Sequence, residues 1–440
     1  MAPSTTRPDS RSLDLRALLS GPDSSAEARH GRSSLVAPVL VGRAEAGGLE
    51  LPALFEKLRS GGPAFAWFSP EGDVVAGFGA VARFTGSGPG RFQAAKAWLD
   101  ALALSSRGDG GEAPPLLAVG GFSFTEGAAG SPAGFGDASF FVPAEVWTSG
   151  TPGRARWRRA DADPDAPPRA PAPLLRPRLP EWSEREWSNG VRAILERIEA
   201  GTLEKAVLAR AVEIEEPHAI DPARVLESLV PANAACYRFF MRPDSDAAFV
   251  GASPERLVAR LEREAISDAV AGTAAGAGLL ESGKDRSEHA FVVRHIVEAL
   301  APLCDGVDAE PEPSLQRHRH LAHLKTRIAG RAREGAHVLD FVERVHPTPA
   351  VAGSPRDAAL ELIRALEPSH RGWYAGAVGW MRGDGLGDFT VGIRSAMIHR
   401  HRALLFAGAG IVAGSDPASE WAETEVKLSV VREAIADAGR

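Results

Sequence analysis

The chain has 440 residues, 44% of them hydrophobic and 24% charged, with a formal net charge of -7. That length and apolar share admit one large or two or three ordinary domains, and exclude a small stapled scaffold or a wholly disordered chain. The acidic balance argues against nucleic-acid or membrane-surface binding but leaves an anionic small molecule open, because local Arg and Lys decide that. Two cysteines, Cys236 and Cys304, rule out a disulfide framework and a Cys-based zinc site, and fit a reduced, cytoplasmic protein. No stretch approaches the roughly 20 apolar residues that span a bilayer.

Residues 1–33 read as a disordered polar tail. They lack an apolar signal region, and Asp9, Asp14, Asp23 and Glu27 make them too acidic for a transit peptide. Residues 34–159 carry strand-length apolar runs at 64–68, 74–78 and 116–122, bounded by Gly, Pro and Ser, with helical spacing over 93–104. Residues 160–180, rich in Pro, Ala and Arg, read as an extended connector. The signals sharpen in 181–438. Ser183 and Glu186 form a capping box flanked by Trp182 and Trp187, and Trp187, Val191, Ile194 and Ile198 then recur at helical spacing up to Gly201. Strands follow at 204–213 and 247–251. Further helices are expected over 285–303, 358–365 and 417–438, and further strands over 375–380, 389–398 and 403–407. Strands come in neighbouring runs without strict alternation with helices, which predicts an α+β fold with largely antiparallel sheets.

Several charged positions sit in unusual settings. Lys205 heads an apolar strand and shares a face with Val207 and Ala209. It is either an edge lysine that discourages aggregation or a desolvated general base. Glu255 closes a strand in GASPE, where catalytic acids and ordinary solvated carboxylates both occur. Asp285 and Glu288 open a helix next to the apolar Val292, serving either the helix dipole or a hard cation. Glu420, Glu423 and Lys427 share one face of the last helix, as a solvated ladder or as a site at the core boundary. The run 407–414, AGAGIVAG, is a Gly-rich loop able to bring backbone N–H groups close to an anion, without the Lys-Ser/Thr of a P-loop.

In chain order, EKAVLAR, GASPE, AVAGTA, KDRSEH, HLKTRIAG, HPTPAVAG, RGWYAGAVGW, VGIRSA and AGAGIVAGSDPASEWAETEVKL form a series that resembles the chorismate-utilising enzymes, and most of all the isochorismate synthases. The resemblance is strong from Trp182 to Ala438 and weaker in the N-terminal half. It implies one large α+β unit of two face-packed, largely antiparallel sheets flanked by helices, with the N-terminal half contributing to the same core.

The resemblance also implies roles. Lys205 would deprotonate a water attacking C2 of chorismate, and Glu255 would protonate the departing C4 hydroxyl, which requires a Lys pKa pulled down and a Glu pKa pushed up. Glu288 and Glu423 would bind one Mg²⁺, with Asp285 and Glu420 holding metal-bound waters. Arg394, Tyr374, Lys427 and the backbone of Gly408, Ala409 and Gly410 would anchor the two carboxylates. Gly272 and Thr273 would line the ring site, with His323 and Thr348 close by. Amine-installing relatives usually carry Gln at the Lys205 position, and aminodeoxychorismate synthases carry a nucleophilic Lys where Ala271 stands. Lys205 with Ala271 is the water-using pattern. Salicylate synthases share Lys205 and Glu255 but go on to eliminate pyruvate, and the HPTP form favours isochorismate synthase over them. A noncatalytic chorismate-binding relative would have lost one of Lys205, Glu255, Glu288 or Glu423. The product would feed menaquinone or catechol siderophore synthesis. A monomer or weak homo-oligomer with neither nucleic-acid nor membrane partner is expected.

Overall fold

The computed structural model describes residues 50–105, 116–127, 134–149, 155–158, 180–243, 247–274, 277–317 and 322–440. The expected tail, and the expected connector apart from Pro180, lie outside them. In the N-terminal half the elements are α1 (Leu51–Arg59), β1 (Ala64–Phe68), β2 (Val74–Phe78), β3 (Ala82–Gly86), α2 (Arg91–Ser105), β4 (Leu117–Phe122), β5 (Ala138–Val142), β6 (Glu145–Ser149) and β7 (Ala155–Arg158). Then come α3 (Glu184–Glu199), β8 (Lys205–Glu215), α4 (Pro222–Ala232), β9 (Tyr237–Arg242), β10 (Ala247–Ser253), β11 (Arg256–Leu261), β12 (Glu264–Ala274) and α5 (Gly283–Leu300). Next are β13 (Cys304–Ala309), β14 (Ser314–Arg317), β15 (Ala322–Ala332), α6 (Val338–Val345), β16 (Gly353–Ser354) and α7 (Arg356–Leu366). The chain closes with β17 (Ala377–Arg382), β18 (Gly387–Val391), β19 (Ser395–His399), β20 (Arg402–Ile411) and α8 (Pro417–Ala438).

The strands form two ten-stranded sheets. One runs β16-β8-β20-β19-β10-β9-β1-β2-β6-β7. The other runs β13-β15-β12-β11-β18-β17-β4-β5-β3, with β14 on β15. Every pairing among the described strands is antiparallel. The sheets pack face to face through Phe65, Trp67, Phe239 and Phe249 of one and Val119, Phe141 and Val378 of the other. Strand β1 shows the physical basis. Phe65 and Trp67 point into that layer, while Ala64, Ala66 and Phe68 point to the opposite face, against α1 and α4, so all five are buried. Burying each large side chain contributes about 1.5–3 kcal/mol. Helices α2, α5 and α6 cover the outer face of the second sheet. Helices α1, α4 and α8 cover that of the first, and α3 and α7 its β8–β20 end. The N-terminal half is part of both sheets: β1 pairs with β9, and β4 with β17. Among the described residues no helix is long and apolar enough to cross a membrane.

Two sequence expectations are corrected. The run 389–398 is not one strand: it breaks into β18 and β19, which belong to different sheets. The break centres on Arg394, whose φ of 50° is left-handed and whose carbonyl accepts the Ala252 N–H at 3.0 Å. The Gly-rich run 407–414 is not a loop up to Ile411, because its first half is the end of β20, paired with β8 through Ile411 and Ala206. This stretch therefore runs along β8 inside the sheet rather than forming a free loop around an anion. Elsewhere the expected elements stand where local signals put them. The Ser183–Glu186 capping box is formed, with the Trp182 and Trp187 rings 5.9 Å apart edge to face.

Candidate active site

Lys205 is the first residue of β8 and is fully buried, flanked by Ser354 of β16 on one side and the end of β20 on the other. It is no edge lysine. Its Nζ lies 2.9 Å from Glu288 Oε1 in an ion pair. Glu288 stands on the second turn of α5, a helix started by Ser282, whose Oγ accepts the Asp285 N–H at 3.2 Å. Gly410 makes room for this pair: a Cβ there would fall 2.3 Å from Glu288 Oε1 and 3.0 Å from Lys205 Cε.

Glu255 sits between β10 and β11 and is only 2% exposed, so it is not a solvated carboxylate. Burial pushes its carboxyl up to about 8, against the opposing pull of a Thr348 Oγ1 hydrogen bond at 3.3 Å and of the Lys205 charge. At neutral pH it therefore carries a proton. Glu423 and Lys427 are one turn apart on α8 and ion-paired, and Lys427 Nζ also donates to Gly408 O at 2.9 Å. Glu420, one turn earlier, is buried and held by Lys284 Nζ at 2.9 Å. Its carboxyl is raised, chiefly by burial and further by the Glu423 charge, with Lys284 opposing.

One cavity collects Glu255, Gly272, Glu288, His323, Tyr374, Arg394, Gly408, Gly410, Glu423 and Lys427. The Tyr374 ring stacks on Phe406, another wall residue, at 5.3 Å. Arg394 Nη2 donates to His323 Nε2 at 3.2 Å, while His323 Nδ1 donates to Gly272 O at 3.1 Å, which sets the imidazole tautomer. The cavity thus holds two cations, a protonated carboxyl and two carboxylates, a set able to receive a small dianion and transfer protons on it.

The sequence profile described as chorismate binding enzyme matches residues 153–436. The chain belongs to the chorismate-binding enzyme family. Its segments are similar to the salicylate biosynthesis isochorismate synthase of Pseudomonas aeruginosa, 41% identical over 266 residues, covering 58% of this chain and 56% of that protein. They are also similar to isochorismate synthase MenF of Bacillus subtilis, 36% identical over 268 residues with 58% and 56% covered. The matched stretch thus spans about half the length of these curated relatives. Among solved structures, the menaquinone-specific isochorismate synthase MenF of Escherichia coli superposes with a TM-score of 0.73 at 27% identity, over 91% of this chain and 96% of that one.

Not every residue that the family resemblance marks lines the cavity. Lys205 stands behind its wall, reaching it through Glu288. Thr348 acts through Glu255, and Asp285 and Glu420 lie outside the lining. Ala409 is wholly buried and turned to the other face of β20, packing with Leu208 and Ile411, because successive strand residues alternate sides. Its side chain is thus no part of the cavity wall, and the anchoring expected of it concerns its backbone alone. The side chain of Thr273 lies outside the described residues.

Among the described residues no group of three or more His, Cys, Asp or Glu side chains closes on a metal position. The donor chemistry nevertheless fits the Mg²⁺ that the sequence resemblance implies. Glu288 and Glu423 both face the cavity, and each carboxylate is paired with a lysine, Lys205 and Lys427 respectively. Two carboxylates plus substrate oxygens suit an ion that keeps several waters.

The sequence offered no sign of the ion pair Glu367–Arg371, 5% and 1% exposed. Arg371 donates to Val207 O and Val351 O, each at 2.7 Å, and Glu367 Oε1 accepts the Ala209 N–H at 2.8 Å. The pair ties the Lys205 strand to the loop that carries Thr348. Its only local trace is a four-residue spacing across the end of α7, which many solvated pairs share.

Proposed function

We propose that this chain is a Mg²⁺-dependent isochorismate synthase that exchanges the C4 hydroxyl of chorismate for one at C2. The observation that carries this reading is a pair of buried groups: Lys205, which reaches the cavity wall through its 2.9 Å ion pair with Glu288, and Glu255 in the wall itself, held protonated near neutral pH by burial. As the free amine, Lys205 takes a proton from water as the water oxygen bonds to C2. Both conjugated ring double bonds shift, C1=C2 to C1=C6 and C5=C6 to C4=C5, the C4–O bond breaks, and Glu255 gives its proton to the oxygen that leaves as water. Run backward, the two groups exchange roles. Arg394, Lys427 and Tyr374 bind and orient the two carboxylates of the substrate, and His323 holds Arg394 in place. Glu288 and Glu423 would hold Mg²⁺, which supplies positive charge against the ring carboxylate when bound. The names of the similar proteins support the same reaction.

The test is a chromatographic time course at neutral pH with purified protein, chorismate and Mg²⁺. Isochorismate should accumulate toward an equilibrium mixture, and isochorismate supplied alone should return chorismate. Stoichiometric salicylate and pyruvate, appearing faster than in an enzyme-free control, would replace this reading with salicylate synthase. EDTA should abolish turnover and Mg²⁺ restore it; full activity in EDTA removes the metal from the mechanism.

A further inference from the structure

A second cavity lies on the other side of the Arg394–His323 pair. It shares Pro254, His323 and Arg394 with the active-site cavity, and its remaining walls come from α4, α8 and the β9–β10 region. Leu229, Ala252 and Ala434, all at most 3% exposed, make an apolar lining, while the exposed Glu433 and Asp437 stand at the rim.

Arg394 is the hinge between the two cavities. A guanidinium carries five N–H donors. Among the described residues its one hydrogen-bond partner is His323. Its backbone is held left-handed at φ 50°, with its carbonyl bonded to Ala252 N, itself in a wall residue of the second cavity. A non-glycine residue persists in that region only when its surroundings over-determine it. The strained turn therefore sets the guanidinium in the wall common to both cavities, where it can receive an oxyanion from either side.

We propose that the second cavity is a regulatory site for a small aromatic or alicyclic monocarboxylate, whose carboxylate binds Arg394 from behind and draws it away from the substrate. The apolar walls take the ring. The acidic rim repels a second carboxylate, so the site excludes the dicarboxylate substrate and selects a monoacid, with preference for one bearing an amino or hydroxyl donor at its far end. Because one guanidinium serves both cavities, monoacid and substrate weaken each other by the same factor. This rests on the reading of Arg394 as a substrate anchor, but binding of the monoacid itself does not.

Benzoate is the probe, titrated calorimetrically into the full chain with and without chorismate. Wild-type protein should bind it, and benzoate should raise the KM for chorismate to a plateau with little change in kcat. Ser228→Trp, which fills the cavity from the partly exposed face of α4, should abolish benzoate binding while leaving the chorismate KM near wild type. Glu433→Lys, on the exposed rim, should tighten benzoate roughly two- to fivefold. Benzoate that binds all three proteins equally, or raises KM without limit, sits in the active site and overturns the proposal. So does an absence of binding at millimolar benzoate. Should the chain turn over no chorismate, the contrast among the three benzoate titrations still decides the site, while the failed turnover counts against the proposed reaction alone.

Discussion

Among the described residues, the Thr348 hydroxyl is the side-chain donor on the Glu255 carboxyl, and it favours the charged form that burial opposes. The acid form of Glu255 is the one that can release the C4 hydroxyl, and it is lost as pH rises through about 8. Activity should fall on that alkaline limb. Thr348→Val removes the bond, raises the carboxyl further, and should move the limb to higher pH in a kcat/KM profile; a limb that stays put or moves down contradicts the assignment. Lys205→Met keeps volume in a fully buried position and should lower kcat by about 10²-fold or more with the circular dichroism spectrum preserved. A folded variant with near wild-type turnover would take Lys205 out of the mechanism. Gly410 lies in extended backbone, so Gly410→Ala strains no turn, but its methyl must displace Glu288 Oε1 from a 2.3 Å approach. Misplacement on the scale of 1 Å costs about 10²-fold. That loss should come with a raised Mg²⁺ requirement, read by titrating the metal in the assay.

At the scale of elements, strand β8 and the loop 346–353 must keep a set distance for Lys205 and Thr348 to serve one cavity, and Glu367–Arg371 bridges them. Arg371→Met leaves the Glu367 carboxylate buried without its cation. Loss of one partner of such a pair costs about 3–5 kcal/mol, to be measured as a lower urea midpoint. An unchanged midpoint would show that the bridge is not needed. The helices of this region were legible because their signals are local: a Ser cap with Glu three residues on, apolar spacing, and Pro at the first turn of α8. The break between β18 and β19 was not, since Val391, Ile393 and Ala396 read as a continuous apolar run. What divides them is that the two halves pair with strands of different sheets, β17 and β11 on one side and β10 and β20 on the other.

At the scale of the whole molecule, the N-terminal half is structural to the site-bearing half. Residues 64–68 pair in register with 238–242, and 117–122 with 377–382. A fragment of residues 180–440 would expose two interior strand edges and the aromatic layer between the sheets, and should fail to unfold cooperatively by calorimetry. A cooperative transition in that fragment would show the halves to be independent. The sequence by itself determined the α+β class, most helices, and the motif order that marks the family, because caps, apolar periodicity and short motifs are each contained in a few consecutive residues. Only the tertiary structure decided that Lys205 and Glu255 are buried rather than solvated, that the Ala-Gly run ends a strand whose alternation turns Ala409 away, and that Arg394 stands between two cavities. Those outcomes depend on burial and on pairing between distant segments, and no local window of sequence carries either.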